Sequence, residues 1–464
     1  MSNDSNYNSL NSFRHEFGLR FLKFANLLYI VIPFAVVWLY YYQSRLYDPF
    51  YFWGDMAIIS LFAVLYFLFG KTYDAFVISL YRIHDIVASQ ALAILLSDGV
   101  MYVITFLLYK GFPNPLPLLI TFVDQLALSI IWSTLAHKIY YKWFPAKKTI
   151  IIYDARRGMK DLINEYGLDK KFDVQKTAPV DECLNDLSMI DDMEVVFFSG
   201  IHSHDRNIIL KYCLYNNKQV YMIPRVGDVI MDSAKQVHMF HLPMMRVQRY
   251  NPNPGYLIAK RMFDIVMSTI AILILSPVFL ITSIAIKLND GGPILYKQQR
   301  LTTNGKEFYI HKFRSMRVDA EKDGVARLST GDNDDRITPV GRFIRKCRID
   351  ELPQLYDILA GNLSIVGPRP ERPEIAEEYM KEMPEFQLRL QAKAGLTGYA
   401  QVYGKYNTTP YDKLQMDLMY IANPSFAEDI RICFATIKIL FVPDSTEGIK
   451  EGQTTAMKND NISD

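Results

Sequence analysis

Apolar residues in this chain fall into long unbroken blocks and short spaced runs, and the two arrangements predict different elements. Four long blocks precede residue 142, at about 19–42, 50–69, 84–109 and 116–136. Each is close to the roughly 20 residues a helix needs to cross the hydrocarbon core. They predict a four-helix transmembrane bundle over 19–142, entered from a cytoplasmic tail at 1–18. The first block lacks a small-residue cleavage site after a short apolar run, so it reads as an anchor rather than a signal peptide. Arg14, Arg20 and Lys23 precede the first block, Lys71 and Arg82 separate the second from the third, and Lys138, Lys142, Lys147 and Lys148 follow the fourth. The alternate loops carry little beyond Arg45 and Lys110, which puts both ends of the bundle in the cytoplasm. Asp98 and Asp124 fall inside these blocks, where an ionisable group is costly; the expectation is that both sit near interfaces or pair with tyrosines.

The pattern then changes to short β-rich runs, "TIIIYD" (149–154), "VVFF" (195–198) and "QVYMI" (219–223), separated by helix-like stretches. This predicts a Rossmann-like α/β domain over 143–250. A dinucleotide site would need a Gly-rich turn after the first strand so that backbone could approach a pyrophosphate. The turn reads "DARRGM", with Gly158 alone, and predicts no nicotinamide cofactor. His202 and His204, in "HSHD", read as solvated loop histidines rather than as metal ligands.

A fifth apolar block, "RMFDIVMSTIAILILSPVFLITSIAIKLND" (261–290), has no charge between Asp264 and Lys287. Ser276-Pro277 interrupts it, and proline removes a backbone donor and clashes one turn back, so a bend is expected there. A full crossing would place everything after residue 287 outside the cell, whereas a re-entrant hairpin over 251–290 would keep both ends in the cytoplasm. Lys260 and Arg261 before the block, and Lys287, Lys297 and Arg300 after it, fit the hairpin better.

Composition narrows the classes further. A net charge of +2 over 464 residues argues against nucleic-acid binding, which draws on a basic excess. The four cysteines, Cys183, Cys213, Cys347 and Cys433, are far apart and form no CxxC pair, so they read as free thiols.

The richest chemistry lies in "RIDELPQLYDILAGNLSIVGPRP" (348–370). Pro353 suits the first turn of a helix, "PQLYDILA" continues it with apolar Leu355, Ile358 and Leu359, and Gly361 is a natural terminator. Asp350 and Glu351 are thereby placed at a helix N-terminus, where free N–H groups and the helix dipole stabilise anions; both are expected to be ionised at neutral pH. Ionised carboxylates suit a nucleophile or a magnesium ligand, although an ordinary helix cap accounts for the dipeptide without chemistry. The surroundings are basic: Lys297, Arg300, Lys312, Arg314, Arg317, Arg342, Arg345, Lys346 and Arg348 lie upstream, and Arg369 lies between two prolines downstream. Guanidinium groups bind phosphate oxygens bidentately, so carboxylates beside such a cluster point to phosphoryl transfer.

Taken together, "GGPILYKQQR", "KFRSM", "TPVGRFIRKCRIDELPQL", "GNLSIVGPRP", "KAGLTGYAQVYG" (393–404) and "DLMYIANPSFAEDIRI" (417–432) resemble the bacterial polyprenyl-phosphate hexose-1-phosphate transferases, the monotopic phosphoglycosyl transferases. The likeness runs from about Arg261 to Leu440, and the apolar N-terminal third with its α/β domain resembles the long members that initiate capsule or exopolysaccharide assembly. The resemblance implies an α-rich monotopic catalytic domain over 291–444, followed by a polar tail at 445–464. It implies that Asp350 attacks the β-phosphate of a UDP-sugar, releasing UMP, and that undecaprenyl phosphate then takes the sugar phosphate. It further implies that Glu351 holds Mg²⁺, that Arg345 and Arg369 hold phosphates or the site's geometry, and that Lys312 and Arg314 do likewise. Ser276-Pro277 matches the family's helix break. One departure is Thr302 in "RLTTNG", where glycine is usual, so that loop is assigned no ligand contact.

Three readings follow. The first is a UDP-hexose to undecaprenyl-phosphate transferase of the bacterial inner membrane with its catalytic domain on the cytoplasmic face, glucose or galactose being the first sugars to consider. The alternative is a catalytically silent membrane scaffold or regulator of polysaccharide assembly, which would have little need to keep Asp350, Glu351, Arg345 and Arg369 together. The third, a nucleotide-sugar oxidoreductase or dehydratase built on the α/β domain, is weakened by the missing Gly-rich turn. Membrane lipid is an expected partner and nucleic acid is not; the bundle and α/β domain can support a homodimer.

Overall fold

The computed structural model describes residues 2–318, 320, 336–404 and 408–439; the predicted tail at 445–464 lies outside them. The chain divides into two compact units, Met1–Ile223 and Pro224–Asp464.

The first unit opens with four long helices, α1 (Ser2–Val37), α2 (Phe52–Thr72), α3 (Ile83–Leu108) and α4 (Leu116–Trp143). They neighbour one another in a ring, α1 against α2 and α4, and α3 against α2 and α4. All four are long and apolar enough to cross a membrane, as is one helix of the second unit. The chain is thus a membrane-associated, mostly helical protein.

The interior of these helices is polar at chosen points. Trp38 Nε1 and Gln43 Nε2 donate to the two oxygens of buried Asp55, at 2.9 and 2.6 Å. Ser129 on α4 donates to Gln90 on α3. Neither aspartate of the sequence expectation meets a tyrosine: Asp98 is buried with both carboxylate oxygens unpartnered, and Asp124 lies on the exposed face of α4. The 3.6-residue helix period separates the two cases, because it decides which side of a uniformly apolar helix meets its neighbours.

A four-stranded parallel sheet follows, built from β1 (Lys147–Tyr153), β2 (Phe172–Pro179), β3 (Val195–Ser199) and β4 (Gln219–Met222) in the order β2-β1-β3-β4. Between strands lie α5 (Met159–Glu165), α6 (Val180–Asn185) and α7 (Ser203–Tyr215). Three strands fall where the sequence predicts them, and β2 does not appear in that prediction. It is an edge strand burying only Phe172 and Ala178, so "FDVQKTAP" carries too little apolar alternation to declare itself. His202 lies 3.7 Å from Asp154 and is mostly exposed.

The second unit begins with α8 (Val226–Asp232) and an exposed hairpin of β5 (Lys235–Met239) and β6 (Leu242–Arg246). Next comes α9 (Pro254–Asp290), assigned as one continuous helix with Pro277 inside it. Pro277 cannot donate to the carbonyl one turn back, that of Leu273, and Ser276 Oγ donates to that carbonyl instead at 2.9 Å. Towards the N-terminal end of α9, Tyr256 and Lys260 both donate to Asp429, at 3.0 and 2.9 Å, and Arg261 donates to the carbonyls of Ile358 and Leu359. Buried Asp264 accepts from Ser364 Oγ and the Ile365 N–H. At the C-terminal end, Ile286 packs with Phe313 and Ile344, and Asp290 pairs with Arg314. Both ends of one long apolar helix are therefore tied into the same unit.

The remaining elements are a β7 (Leu295–Leu301) and β8 (Glu307–Phe313) antiparallel pair, α10 (Pro339–Lys346), α11 (Gln354–Ala360), β9 (Ser364–Val366), α12 (Pro373–Glu382), β10 (Gly395–Thr397), α13 (Tyr399–Tyr403), α14 (Pro410–Ala422) and α15 (Phe426–Ile439). Phe308 and Ile310 of β8 share a core with Leu355, Ile358 and Leu363, against Ala271, Ile272 and Phe279 of α9.

Candidate active site

The run "TPVGRFIRKCRIDELPQL" is a helix, a reversal and a second helix. Thr338 caps α10 by accepting from the Gly341 N–H at 2.9 Å, and Pro339 occupies the first turn, where a missing N–H costs nothing. Gly341 is pressed against the Ser315 carbonyl, leaving no room for a Cβ. After α10, Arg348 takes the left-handed conformation, φ 55°, which L-residues other than Gly, Asn and Asp seldom adopt. That reversal delivers Asp350 and Glu351 in a single 3₁₀ turn, Ile349–Glu351, directly ahead of α11. Gly361 ends α11 with φ 86°, as the sequence predicts.

Glu351 is the electrostatic centre. Its Oε1 accepts from Lys312 Nζ at 2.9 Å and from Arg369 Nη2 at 3.1 Å, and Arg348 stands 3.9 Å from Oε2. Burial works to raise the Glu351 carboxyl, but Lys312, Arg369 and Arg348 outweigh it and hold the carboxyl well below the usual range. Asp350 differs. It is half-buried and has no hydrogen-bond or ion-pair partner among the described residues. Burial pushes its carboxyl up, against the pull of Lys312, Arg345 and Arg348, and the charge on Glu351 adds to the rise. The two neighbouring carboxyls are therefore shifted in opposite directions, although their helix-end position is the same. Lys312 and Arg369 bind Glu351 directly, whereas Asp350 feels the cations only through space.

Each cation has its own support. Lys312 lies two residues beyond Ile310 on β8, hence on the same side of the strand, facing α11. Arg369 follows β9, where Gly367 and Gly395 bring the β9 and β10 backbones so close that a Cβ on either would overlap main-chain atoms. This accounts for the pairing of "VGPRP" with "KAGLTG" across the sequence. Arg345, in the last turn of α10, has a buried Nη1 without a partner among the described residues. Arg314 is placed elsewhere: it is buried, pairs with Asp290, and packs on Gly292 at the end of α9. Thr302 fills its usual glycine's place structurally, accepting from the Ala394 N–H through Oγ1 at 3.2 Å.

Two supports carry no sequence signal. Arg389, almost fully buried, donates to the Arg369 carbonyl at 2.9 Å while pairing with Asp417 at 2.6 Å. His311, beside Lys312, meets Asp357 through both its ring and its backbone N–H. Both partners are distant in sequence, and no local pattern announces them.

Residues 255–443 match the family described as bacterial sugar transferase. The chain is 36% identical over 234 residues to the UDP-N-acetylgalactosamine-undecaprenyl-phosphate N-acetylgalactosaminephosphotransferase of Aeromonas hydrophila, covering 50% of this chain and 54% of that protein. It is 37% identical over 212 residues to the UDP-glucose:undecaprenyl-phosphate glucose-1-phosphate transferase of Escherichia coli K12, covering 45% and 44%. Against the exopolysaccharide production protein PSS of Rhizobium leguminosarum bv. phaseoli, identity is 40% over 190 residues, 39% of this chain and 94% of that protein. The chain belongs to the bacterial sugar transferase family. The region shared with this family holds all of α9 but its first residue, together with the carboxylate pair and its cations. The matched segments span about half the length of the first two relatives.

The site fits a magnesium ion on one observation. Four cations, Lys312, Arg345, Arg348 and Arg369, already surround two carboxylates, yet among the described residues Glu351 Oε2 meets only Arg348, at 3.9 Å. Magnesium characteristically binds one or two carboxylates plus phosphate oxygens and keeps several waters, so an open carboxylate oxygen beside a cluster of lysine and arginine side chains suits it.

Proposed function

We propose that this bacterial sugar transferase moves a hexose 1-phosphate from a UDP-sugar to undecaprenyl phosphate at the cytoplasmic face of the inner membrane, initiating capsular or exopolysaccharide synthesis. The observation that carries the reading is the asymmetric pair: Glu351 is neutralised by Lys312 and Arg369, while the adjacent Asp350 carboxylate has no hydrogen-bond or ion-pair partner among the described residues.

An Asp350 oxygen attacks the β-phosphorus, forming a P–O bond to the enzyme. The bond from that phosphorus to the bridging oxygen breaks, and UMP leaves with the electron pair. A phosphate oxygen of undecaprenyl phosphate then attacks the same phosphorus and displaces Asp350, giving the lipid diphosphate sugar. Arg345, with its unpartnered Nη1, and Arg369 stabilise the charge on the transferring phosphoryl group. Glu351 would hold magnesium, whose contribution is to neutralise phosphate charge.

The membrane arrangement belongs to the same proposal. At 1.5 Å per residue, 37 helical residues would extend about 55 Å if straight, well beyond a hydrocarbon core of about 30 Å. Contacts of Arg261, Asp264, Ile286 and Asp290 with the same catalytic unit support a re-entrant α9 that dips into the membrane and returns. Cysteines introduced at the exposed positions Ile258 and Leu288 should then label from the same side; opposite accessibility would exclude it. The α/β sheet of the first unit, with its single-glycine turn, is proposed to be Rossmann-like without a nicotinamide site.

The deciding test is UMP release by the full chain in detergent with Mg²⁺ and undecaprenyl phosphate. UDP-glucose, UDP-galactose and their N-acetyl forms would be offered singly, since relatives are named for different sugars. Release with one donor, lost by at least ~10³-fold in Asp350→Asn, is expected. No release from folded protein with any donor would favour the silent scaffold.

A further inference from the structure

The contact between His311 and Asp357 is unusual in taking two bonds from one residue. His311 stands opposite Lys297 in the β7–β8 ladder, yet its backbone N–H donates to Asp357 Oδ2 at 2.8 Å. Its ring Nδ1 lies 2.6 Å from Oδ1 of the same carboxylate. Asp357 is nearly fully buried, its side chain 4% exposed, so the carboxylate depends on these donors. Burial pushes its carboxyl up, and the two bonds from His311 oppose that.

The geometry joins two places that matter. His311 immediately precedes Lys312, and Asp357 lies six residues after Glu351 on the segment that carries the carboxylate pair. Among the described residues, the core that β8 and α11 share is apolar, Phe308 and Ile310 against Leu355 and Ile358, and apolar packing is non-directional. The β7 ladder fixes β8 within its sheet but not against α11, and a shift of β8 along α11 would carry Lys312 away from Glu351. Lysine cannot correct this itself, because its ammonium rides on a flexible four-carbon stem. Between β8 and α11 themselves, the doubly bonded carboxylate is the directional contact that opposes such a shift.

We propose that His311 and Asp357 are positioning residues for the transfer reaction: together they lock the register of β8 against α11 so that Lys312 stays seated on Glu351. Neither touches the reacting atoms. The inference rests on the reading of Asp350 and Glu351 as the catalytic pair.

A double-mutant cycle on the full-length protein tests it, using UMP release, the KM for the donor, the Mg²⁺ midpoint and the thermal midpoint. Asp357→Asn should lower kcat by about tenfold, leave KM nearly unchanged and raise the Mg²⁺ midpoint, and His311→Gln should do the same. Added to Lys312→Met, Asp357→Asn should cost nothing further, because both act through one contact. Effects that multiply in the double variant, or a lowered thermal midpoint with unchanged kcat per folded enzyme, would overturn the proposal. A second measurement is independent of turnover. With Cys347→Ser, Lys312→Cys and Glu351→Cys combined, a short thiol cross-linker should join positions 312 and 351 readily, and Asp357→Asn should abolish that link. Retained cross-linking would reject the register lock even if the wild type released no UMP, an outcome that would itself count only against the transferase reading.

Discussion

The buried aspartates of the second unit and Asp98 of the first are treated in opposite ways, while Asp55 of the first unit sides with the former, accepting from Trp38 and Gln43. In the second unit, Asp264, Asp357, Asp417 and Asp429 each accept bonds from more than one donor atom. Each ties together elements distant in sequence: α9 to β9, α11 to β8, α14 to the segment carrying Arg389, and α15 to α9. In the first unit Asp98 lies just as deep on α3, and neither of its oxygens has a partner among the described residues. Depth is therefore a poor guide to what an acidic group does. The donors around it decide whether it pins two elements together or is merely tolerated.

That contrast can be broken by substitution, with effects that should decline in order. Arg389→Met leaves Asp417 buried without its partner and frees the Arg369 carbonyl, and the expected loss is about 3–5 kcal/mol. Thermal unfolding of the purified protein checks it, and a shift within error would mean that Asp417 finds another donor. Asp264→Ala strands the Ser364 hydroxyl and the Ile365 N–H, for an expected ~1–3 kcal/mol, read by the same melt. Asp98→Leu should be neutral or stabilising by ~1 kcal/mol, because it removes an unpaired polar group and strands no partner. Clear destabilisation there would show that Asp98 has a role its surroundings do not reveal, and would dissolve the contrast.

The carboxylate pair repeats the lesson over one residue. Local sequence assigns Asp350 and Glu351 the same helix-end environment, whereas Lys312 and Arg369 converge on Glu351 alone. For Glu351 the depressed carboxyl means a stability contribution that persists above the ordinary carboxylate range and is lost only as pH falls through its lowered folded value.

Much of the site was legible because its motifs encode local geometry. Thr338-Pro339 starts α10, Gly361 ends α11, and the "GPRP" run stiffens the backbone around Arg369; such preferences act over a few residues and survive in any context. The long apolar blocks were equally plain, since membrane crossing imposes a length and a hydropathy that need no partner. The edge strand β2 was hidden because one half-solvated strand buries too little to stand out. Arg314 was read with Lys312 as a group that holds phosphate or the site's geometry, and the fold pairs it with Asp290 at the end of α9.

The sequence by itself determined the apolar helices, the helix boundaries around the carboxylates and the residue types of the site. Only the tertiary structure decided which cation meets Glu351, that Asp350 is left unengaged, and that Arg389 and His311 support the residues beside them. The reason is physical. Propensity and hydropathy act along the chain, whereas a carboxylate's ionisation and orientation depend on charges within a few ångströms, contributed by segments that only folding brings together.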